Sequence, residues 1–567
     1  MDNKKIAKTF RQYAQLMELH GDNPFRTKAM AAAAFKLDKL PFAITAQTIS
    51  ELSEVPGIGQ RTAEKIDALL ATGSFPELDA LLAATPEGIL EMLTIKGLGP
   101  KKVKIIWSTL GIESIGELYY ACNENRLIEA KGFGLKTQLE IKQAIEFSIA
   151  NKGWFLYANA EKTAESTIVS LRELLPTSCK IAFTGEFRRK CEVLQSVDFV
   201  TEASVDDLVM AIGKIDTPLI ETERTPSLLS AKNETGLIFR FFLTTPQSFY
   251  HQLLTTTGSN EHLRELEALL PKPQLPDLDS EEAIYATLGL SYIPPELREG
   301  NNEVTLAKSG ALPTLVSYAD LRGTLHNHST YSDGVNTLEE MARYCRDELR
   351  LEYLGICDHS RAAVYAKGLD IQRVQTQWAE IDILNTNLAP FRIFKGIESD
   401  ILGDGSLDYP DEILAGFDFV VASVHSNLKM DQERATDRLI RAIENPYTTM
   451  LGHPTGRLLL SRSGYPLDYE RIIDACAAHG VVIEINANPL RLDLDWRWHR
   501  YAIEKGVLLS INPDAHRNSG FHDMQYGVHV ARKGGVAPQH CLNTFSVDEI
   551  TEYFTGRKQR IAAMAAP

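Results

Sequence analysis

The chain is 567 residues long, more than one hydrophobic core accommodates, and its 44% apolar content supports three or four folded domains. Its formal net charge of −16 argues against wholesale adhesion to a polyanion. No apolar run approaches the ~20 residues of a membrane span, the opening Met1-Asp-Asn-Lys-Lys lacks the layout of a signal peptide, and seven scattered cysteines never form a Cys-x-x-Cys pair, so a cytoplasmic protein with reduced cysteines is expected.

At the N-terminus Ile6, Phe10, Tyr13, Leu16 and Met17 recur at helical spacing, and an Ala-rich stretch, Met30–Phe35, continues the helical pattern. Three turns of one kind follow: Val55-Pro-Gly57-Ile-Gly59, Ile95-Lys-Gly97-Leu-Gly99-Pro-Lys101-Lys102, and Ala130-Lys-Gly132-Phe-Gly134. Each predicts a short helix ending at a glycine hairpin and a second helix starting at once, its free N–H groups able to face a phosphate. A plain helix connector would use the same glycines. Residues 1–150 hold 18 Lys+Arg and 18 Asp+Glu, against 41 and 57 in the remainder, so nucleic acid must be held by such local devices. The three copies resemble helix-hairpin-helix DNA-backbone binders, which implies DNA contacts at Gly57, Gly59, Gly97, Gly99, Lys101, Lys102, Gly132 and Gly134. Together with Asn23-Pro-Phe-Arg-Thr-Lys, the region also resembles the lyase domain of family X DNA polymerases. Lys65 falls on that family's Schiff-base position, with a solvated helix lysine as the alternative.

Residues 151–245 resemble the α/β nucleotidyltransferase-like palm of the same family, on Gly185-Glu-Phe-Arg-Arg-Lys-Cys-Glu-Val-Leu-Gln-Ser196-Val-Asp198. The departures are chemical. Ser196 stands at the first carboxylate position, Glu186 replaces a serine near the triphosphate, Lys190 replaces a glycine, and Arg240 stands where the third carboxylate is expected. Asp198 alone cannot hold the two Mg²⁺ ions of phosphoryl transfer, so the palm is expected to be vestigial, with Arg240 free to pair with Asp198; a nearby acid such as Glu234 is the alternative. A thumb is expected over 246–300, and the polar, Gly/Pro-punctuated stretch from Asn301 suggests a linker over 301–318.

From Asp320 onward, short apolar runs repeatedly stop at a metal-binding side chain: His326-x-His328 followed by Asp333, then His359, Glu398, His425, His453, and Asp514-x-His516. In a barrel of alternating strands and helices such residues would collect at the carboxyl ends of the strands. The set resembles the polymerase-and-histidinol-phosphatase (PHP) superfamily, supported by Glu398-Ser-Asp, Ser423-Val-His-Ser, Gly452-His-Pro-Thr-Gly-Arg and Glu484-Ile-Asn-Ala-Asn-Pro. The resemblance implies a distorted (β/α)7 TIM-like barrel over 319–567 holding three divalent metal ions, Zn²⁺, Mn²⁺ or Fe²⁺. One ion would sit on His326, His328, Glu398 and Asp514, a second on Glu398, His425 and His453, and a third on Asp333, His359 and His516. Arg457 and Arg491 are candidate phosphate clamps or rim salt bridges.

Taken whole, the chain resembles bacterial PolX, family X polymerases with a C-terminal PHP domain. That implies a cytoplasmic, nucleoid-associated monomer acting on gapped, nicked or 3′ DNA ends. Metal-dependent 3′–5′ exonuclease chemistry in the barrel is the expected activity; a gap-filling polymerase with proofreading is the alternative. The complete ligand set disfavours a scaffold without chemistry.

Overall fold

The computed structural model describes all residues except 2, 39, 41, 96, 129, 151–152, 271–274 and 566–567. The chain divides into two compact units, Met1–Ser148 and Ile149–Pro567. The expected start of the second domain, residue 151, lies outside the described residues.

In the first unit the described elements are helices and turns. Helix Asn3–His20 buries Ile6, Phe10, Tyr13, Leu16 and Met17, the face its spacing predicts. The three glycine turns share one geometry. Gly57, Gly97 and Gly132 take φ of 90°, 90° and 94°, a region costly for any residue with a Cβ. The apolar residue between each glycine pair, Ile58, Leu98 or Phe133, is buried and anchors the turn. Helices Gln60–Thr72, Pro100–Leu110 and Leu135–Ala150 start directly afterwards, and beside Gly59, Gly99 and Gly134 no atom lies within 4 Å of where a Cβ would stand. Gly59 and Gly99 are N-caps without a side chain to satisfy the first helical N–H groups.

The second unit opens with a five-stranded sheet: β1 (Ile181–Thr184), β2 (Ser196–Thr201), β3 (Ile220–Arg224), β4 (Leu228–Lys232) and β5 (Ile238–Leu243). Its order is β1-β2-β5-β4-β3, with β2 and β5 parallel and the other pairs antiparallel. Phe199 stacks on Phe239 and Phe241 in its core. The helices that follow are tied to it by buried ion pairs: Arg188 and Arg298 both reach Glu281, and Arg189 reaches Glu299. The stretch expected as a linker carries helix Glu303–Ser309 instead, because Val304 and Ala307 join the core of the preceding helices and the Glu303 carboxylate accepts the Gly300 and Asn301 amides and faces His262 Nδ1 at 2.7 Å.

Seven parallel strands in sequential order form the last region: β6 (Gly323–Thr324), β7 (Tyr353–Ile356), β8 (Arg392–Asp400), β9 (Phe419–Ser423), β10 (Met450–Leu451), β11 (Val482–Asn486) and β12 (Leu509–Asn512). Their burial on both faces matches a parallel sheet covered by helices. Helix Met524–Lys533 ties this region to the sheet domain. Tyr526 OH donates to Glu161 at 2.9 Å, Arg532 to Glu296 at 2.8 Å, and the buried Lys533 ammonium to Glu299 and to the Arg189 carbonyl.

Between β6 and β12 a side chain does the work of a strand. Asn543, fully buried, donates to the Gly323 carbonyl at 3.1 Å and the Ile511 carbonyl at 2.8 Å, while its carbonyl accepts the Ile511 amide at 2.6 Å. The Asn512 side chain accepts the Leu325 amide across the same seam. Replacing Asn543 by Ala leaves these groups unpaired, each at about 1–3 kcal/mol. Amide exchange in peptides covering 322–328 and 505–513 is expected to accelerate, with an opening free energy lower by about 2–4 kcal/mol, while β8 and β9 stay protected. Unchanged exchange across both edges would show that the seam does not depend on Asn543.

Candidate metal centre

β6 to β12, read toward their carboxyl ends, deliver the nine ligand-type residues to one buried point. Glu398, at the end of β8, is the hub. Its Oε1 lies 2.9 Å from His453 Nε2, 3.2 Å from His425 Nε2 and 3.3 Å from His326 Nε2, and its Oε2 lies 2.8 Å from His359 Nδ1. Asp514 Oδ1 stands 3.0 Å from His328 Nε2 and 3.7 Å from His326 Nε2. Asp333 stands 3.4 Å from His516 Nε2 and 3.6 Å from His359 Nε2. Three overlapping groups present ligand atoms within 4.8 Å of one another: His328, Asp333, His359 and His516; His326, His328 and Asp514; and His359, Glu398 and His425. This grouping differs from the expected one in giving both His328 and His359 to two groups, in leaving Glu398 out of the His326 group, and in leaving His453 outside all three. His453 and Asp514 hold φ of 24° and 53°, strained values for residues with side chains and of the kind found where geometry serves a site.

The donor set fits divalent cations. His326 Nε2, His328 Nε2, Asp333 Oδ2 and Glu398 Oε2 are buried beside one another's charged neighbours yet make no aligned hydrogen bond, an arrangement costing about 1–3 kcal/mol per group unless something else satisfies it. Burial disfavours the imidazolium of His326, but Glu484, Glu398 and Asp514 outweigh it and hold that ring well above its usual range. Asp333 and Glu398 do the same for His359 against its burial. Burial and then the rings of His516 and His359 push His328 down to about 3, and burial and then Arg491 push His453 down to about 4. Burial would raise Glu398, yet His425, His326 and His359 hold it well below the carboxylate range.

A second layer of carboxylates holds the first. Glu484, fully buried on β11, accepts His326 Nδ1 at 2.7 Å, the His453 amide at 2.7 Å and the side-chain amides of Asn486 and Asn512. Asp400 faces His425 Nδ1 at 2.6 Å. Asp358 accepts from Ser329, Ser332 and Gln377, pinning the loop that carries Asp333. None of these three is an expected ligand; the signal available was a carboxylate inside an otherwise apolar strand run.

The two arginines separate. Arg491 is buried with Nε 4.0 Å from Asp514 Oδ2, at the cluster. Arg457 donates to the Arg491 and Leu492 carbonyls and to Asp495, so its guanidinium anchors the 491–495 loop and the expected phosphate clamp at this position is replaced by a structural role. In the palm, Asp198 is clasped by Arg240 at 2.8 and 2.6 Å and accepts the Ser196 hydroxyl at 2.8 Å. Register explains it, because Asp198 and Arg240 are direct partners across β2 and β5. Lys65 is paired with Glu77 and lies 5.2 Å from the Phe75 ring centre and 5.9 Å from that of Tyr13. At the second hairpin Lys102 Nζ donates to the Gly97 carbonyl at 3.1 Å, and Lys101 is exposed.

A parallel seven-stranded barrel with imidazoles and carboxylates converging at its strand ends is a PHP-type (β/α)7 barrel. Residues 1–75 match the helix-hairpin-helix domain family, and residues 89–146 match the SAM-like helix-hairpin-helix tandem. The DNA polymerase/3′-5′ exonuclease PolX of Bacillus subtilis (strain 168) is 32% identical over 98% of this chain and 99% of its own length. A probable phosphatase of Thermoanaerobacter sp. (strain X514) is 30% identical over 32% of this chain and 76% of its own length. Another from Acetivibrio thermocellus is 27% identical over 42% of this chain and 96% of its own length. The chain belongs to the PolX family.

Glu484 gives this site a test independent of turnover. Glu484→Gln keeps the shape but not the charge behind His326, and metal affinity is expected to fall about 10–100-fold. Metal content after dialysis against graded chelator measures it; retention equal to the parent chain at every chelator level would remove Glu484 from the centre.

Proposed function

We propose that this protein shortens DNA 3′ ends by metal-dependent phosphodiester hydrolysis in its barrel and that its palm no longer polymerises. The observation that carries the reading is the convergence of eight ligand-type side chains in three overlapping groups, with His453 2.9 Å from Glu398 beside them, in a chain whose N-terminal region belongs to helix-hairpin-helix families. The relative named as a polymerase/3′-5′ exonuclease supports the same substrate class.

In this reading residues 1–150 hold the DNA backbone, 151–245 form the palm, 246–300 the thumb, 301–318 the connection, and 319–567 the hydrolytic domain. Three cations, Zn²⁺, Mn²⁺ or Fe²⁺, are held by His326, His328, Asp333, His359, Glu398, His425, His453, Asp514 and His516. Divalent ions in such a site supply a water nucleophile at neutral pH and neutralise phosphate oxygens. Glu484 and Asp400 orient His326 and His425, Asp358 fixes the Asp333 loop, and Arg491 offers a guanidinium to a phosphate oxygen beside Asp514. Backbone amides at Gly59, Gly99 and Gly134 hold DNA without reading its sequence. The substrates are gapped, nicked or 3′-ended DNA, met by a monomer in the nucleoid; among the described residues no helix is long and apolar enough to cross a membrane.

The test is one gel: full-length protein with Mn²⁺ and 3′-labelled primed or gapped DNA, with and without dNTPs. His326→Ala and Asp514→Asn are each expected to slow shortening at least about 10²-fold, since removing one ligand disturbs a bridged site. Near-normal rates in both variants would overturn the reading.

The palm is tested in the His326→Ala background, where degradation cannot mask synthesis. Arg240 occupies both oxygens of the one carboxylate at the polymerase position, so extension of a gapped primer is expected to be absent. Robust extension that vanishes in Asp198→Asn would establish polymerase activity instead.

A further inference from the structure

Beside the metal centre the loop 360–369 is held at its base from several directions. The Leu369 amide donates to the His359 carbonyl at 2.8 Å, the Ala362 amide to Asp408 at 2.6 Å, Arg361 donates to the Asp408 carbonyl at 2.6 Å, and the Tyr409 hydroxyl to the Leu369 carbonyl. A Cβ on Gly368 would stand 1.9 Å from the Ser360 carbonyl oxygen, so only glycine permits this closure. Ala363 and Ala366 are buried beneath the loop, whereas Val364 is 81% and Tyr365 37% exposed. A lone exposed apolar residue is ordinary. Two adjacent ones on a rigidly pinned turn are less so, and the Tyr365 ring centre lies 6.1 Å from that of His359 and 6.4 Å from that of His425. Lys367, exposed, flanks it with positive charge, while the Arg361 guanidinium is paired with Asp408 at 3.2 Å.

Phosphate chemistry alone has no use for an aromatic wall at this place. A nucleotide does, because its base lies one sugar away from the phosphorus that the centre would hold. We infer that Tyr365, edged by Val364, is the platform on which the base of the 3′-terminal nucleotide stacks. It is a specificity-determining residue that makes the barrel prefer a DNA end carrying a base over any other phosphodiester; the inference rests on the exonuclease reading above. Base-on-aromatic stacking is indifferent to sequence, as trimming of arbitrary ends requires.

The experiment uses full-length holoprotein and two readouts. In the first, 2-aminopurine is placed at the 3′ terminus or several nucleotides inside, and fluorescence is read by stopped flow before shortening begins. The wild-type chain is expected to quench the terminal probe more strongly, Tyr365→Ala to lose the difference, and Tyr365→Phe and Tyr365→Trp to keep it. In the second, KM is compared for primers ending in a normal or an abasic nucleotide. Wild type is expected to favour the normal end about tenfold through KM rather than kcat, the low end of what stacking one base contributes, and Tyr365→Ala to lose that preference. Equal quenching at both probe positions by the wild-type chain overturns the platform without recourse to any variant. So does a preference retained by Tyr365→Ala. If the wild-type protein shortens no DNA, the exonuclease reading falls and the platform with it; if it shortens DNA but treats both ends alike, the platform alone falls.

Discussion

Glu398 is a carboxylate 1% exposed to solvent, ringed by five imidazoles within 4 Å, and the cost of keeping it there organises the barrel. A lone charge so buried costs several kcal/mol unless paired and hydrogen-bonded. The solution is layered. Imidazoles meet the carboxylates, the far nitrogens of His326 and His425 are met by Glu484 and Asp400, and Glu484 in turn takes amides from Asn486 and Asn512. The rings of His326 and His425 are thereby fixed in orientation by what stands behind them. The strained φ values of His453 and Asp514 belong to the same bargain between backbone and site.

How much of this was legible in the sequence depended on distance along the chain. The ligand-type residues were readable because eight of the nine stand at or within four residues of a strand end, a local and repeated pattern, and Asp333 follows on the loop after β6. Glu484 and Asp400 were not assigned, because a carboxylate behind a histidine is recognisable only once two strands lie side by side. Arg457 and Arg491 are chemically identical and 34 positions apart; what distinguishes them is that one faces the carbonyls of its own loop and the other an aspartate at the cluster. Helix Glu303–Ser309 was hidden for a similar reason. Its polar surroundings read as a connector, and only the thumb core that receives Val304 and Ala307 makes it an element.

The palm illustrates the reverse, a tertiary contact inferable from charge. Arg240 opposite Asp198 follows from residue types and strand register, and the bidentate pair with the Ser196 hydroxyl closes the carboxylate completely. Around it Arg188 and Arg189 are committed to Glu281 and Glu299, so the guanidiniums of this motif serve the joint between the five-stranded sheet and the helices that follow it. The domain retains its stacked phenylalanine core and its connection to the barrel through Lys533. Its architecture does not depend on a free carboxylate at position 198.

Asn543 carries a consequence for the order in which the protein can become dangerous to its substrate. All nine ligand-type residues precede it, the last being His516, yet part of the seam between the two barrel edges, the bonds to the Gly323 and Ile511 carbonyls, waits for a side chain translated 27 positions later. Domains fold broadly as they are synthesised, so the helical unit and the palm are complete on a nascent chain before the barrel can close. A ribosome that stalls or a message that ends before residue 543 yields a polypeptide with all nine ligand-type residues but with the seam left to contacts such as those of Asn512 and Ala515.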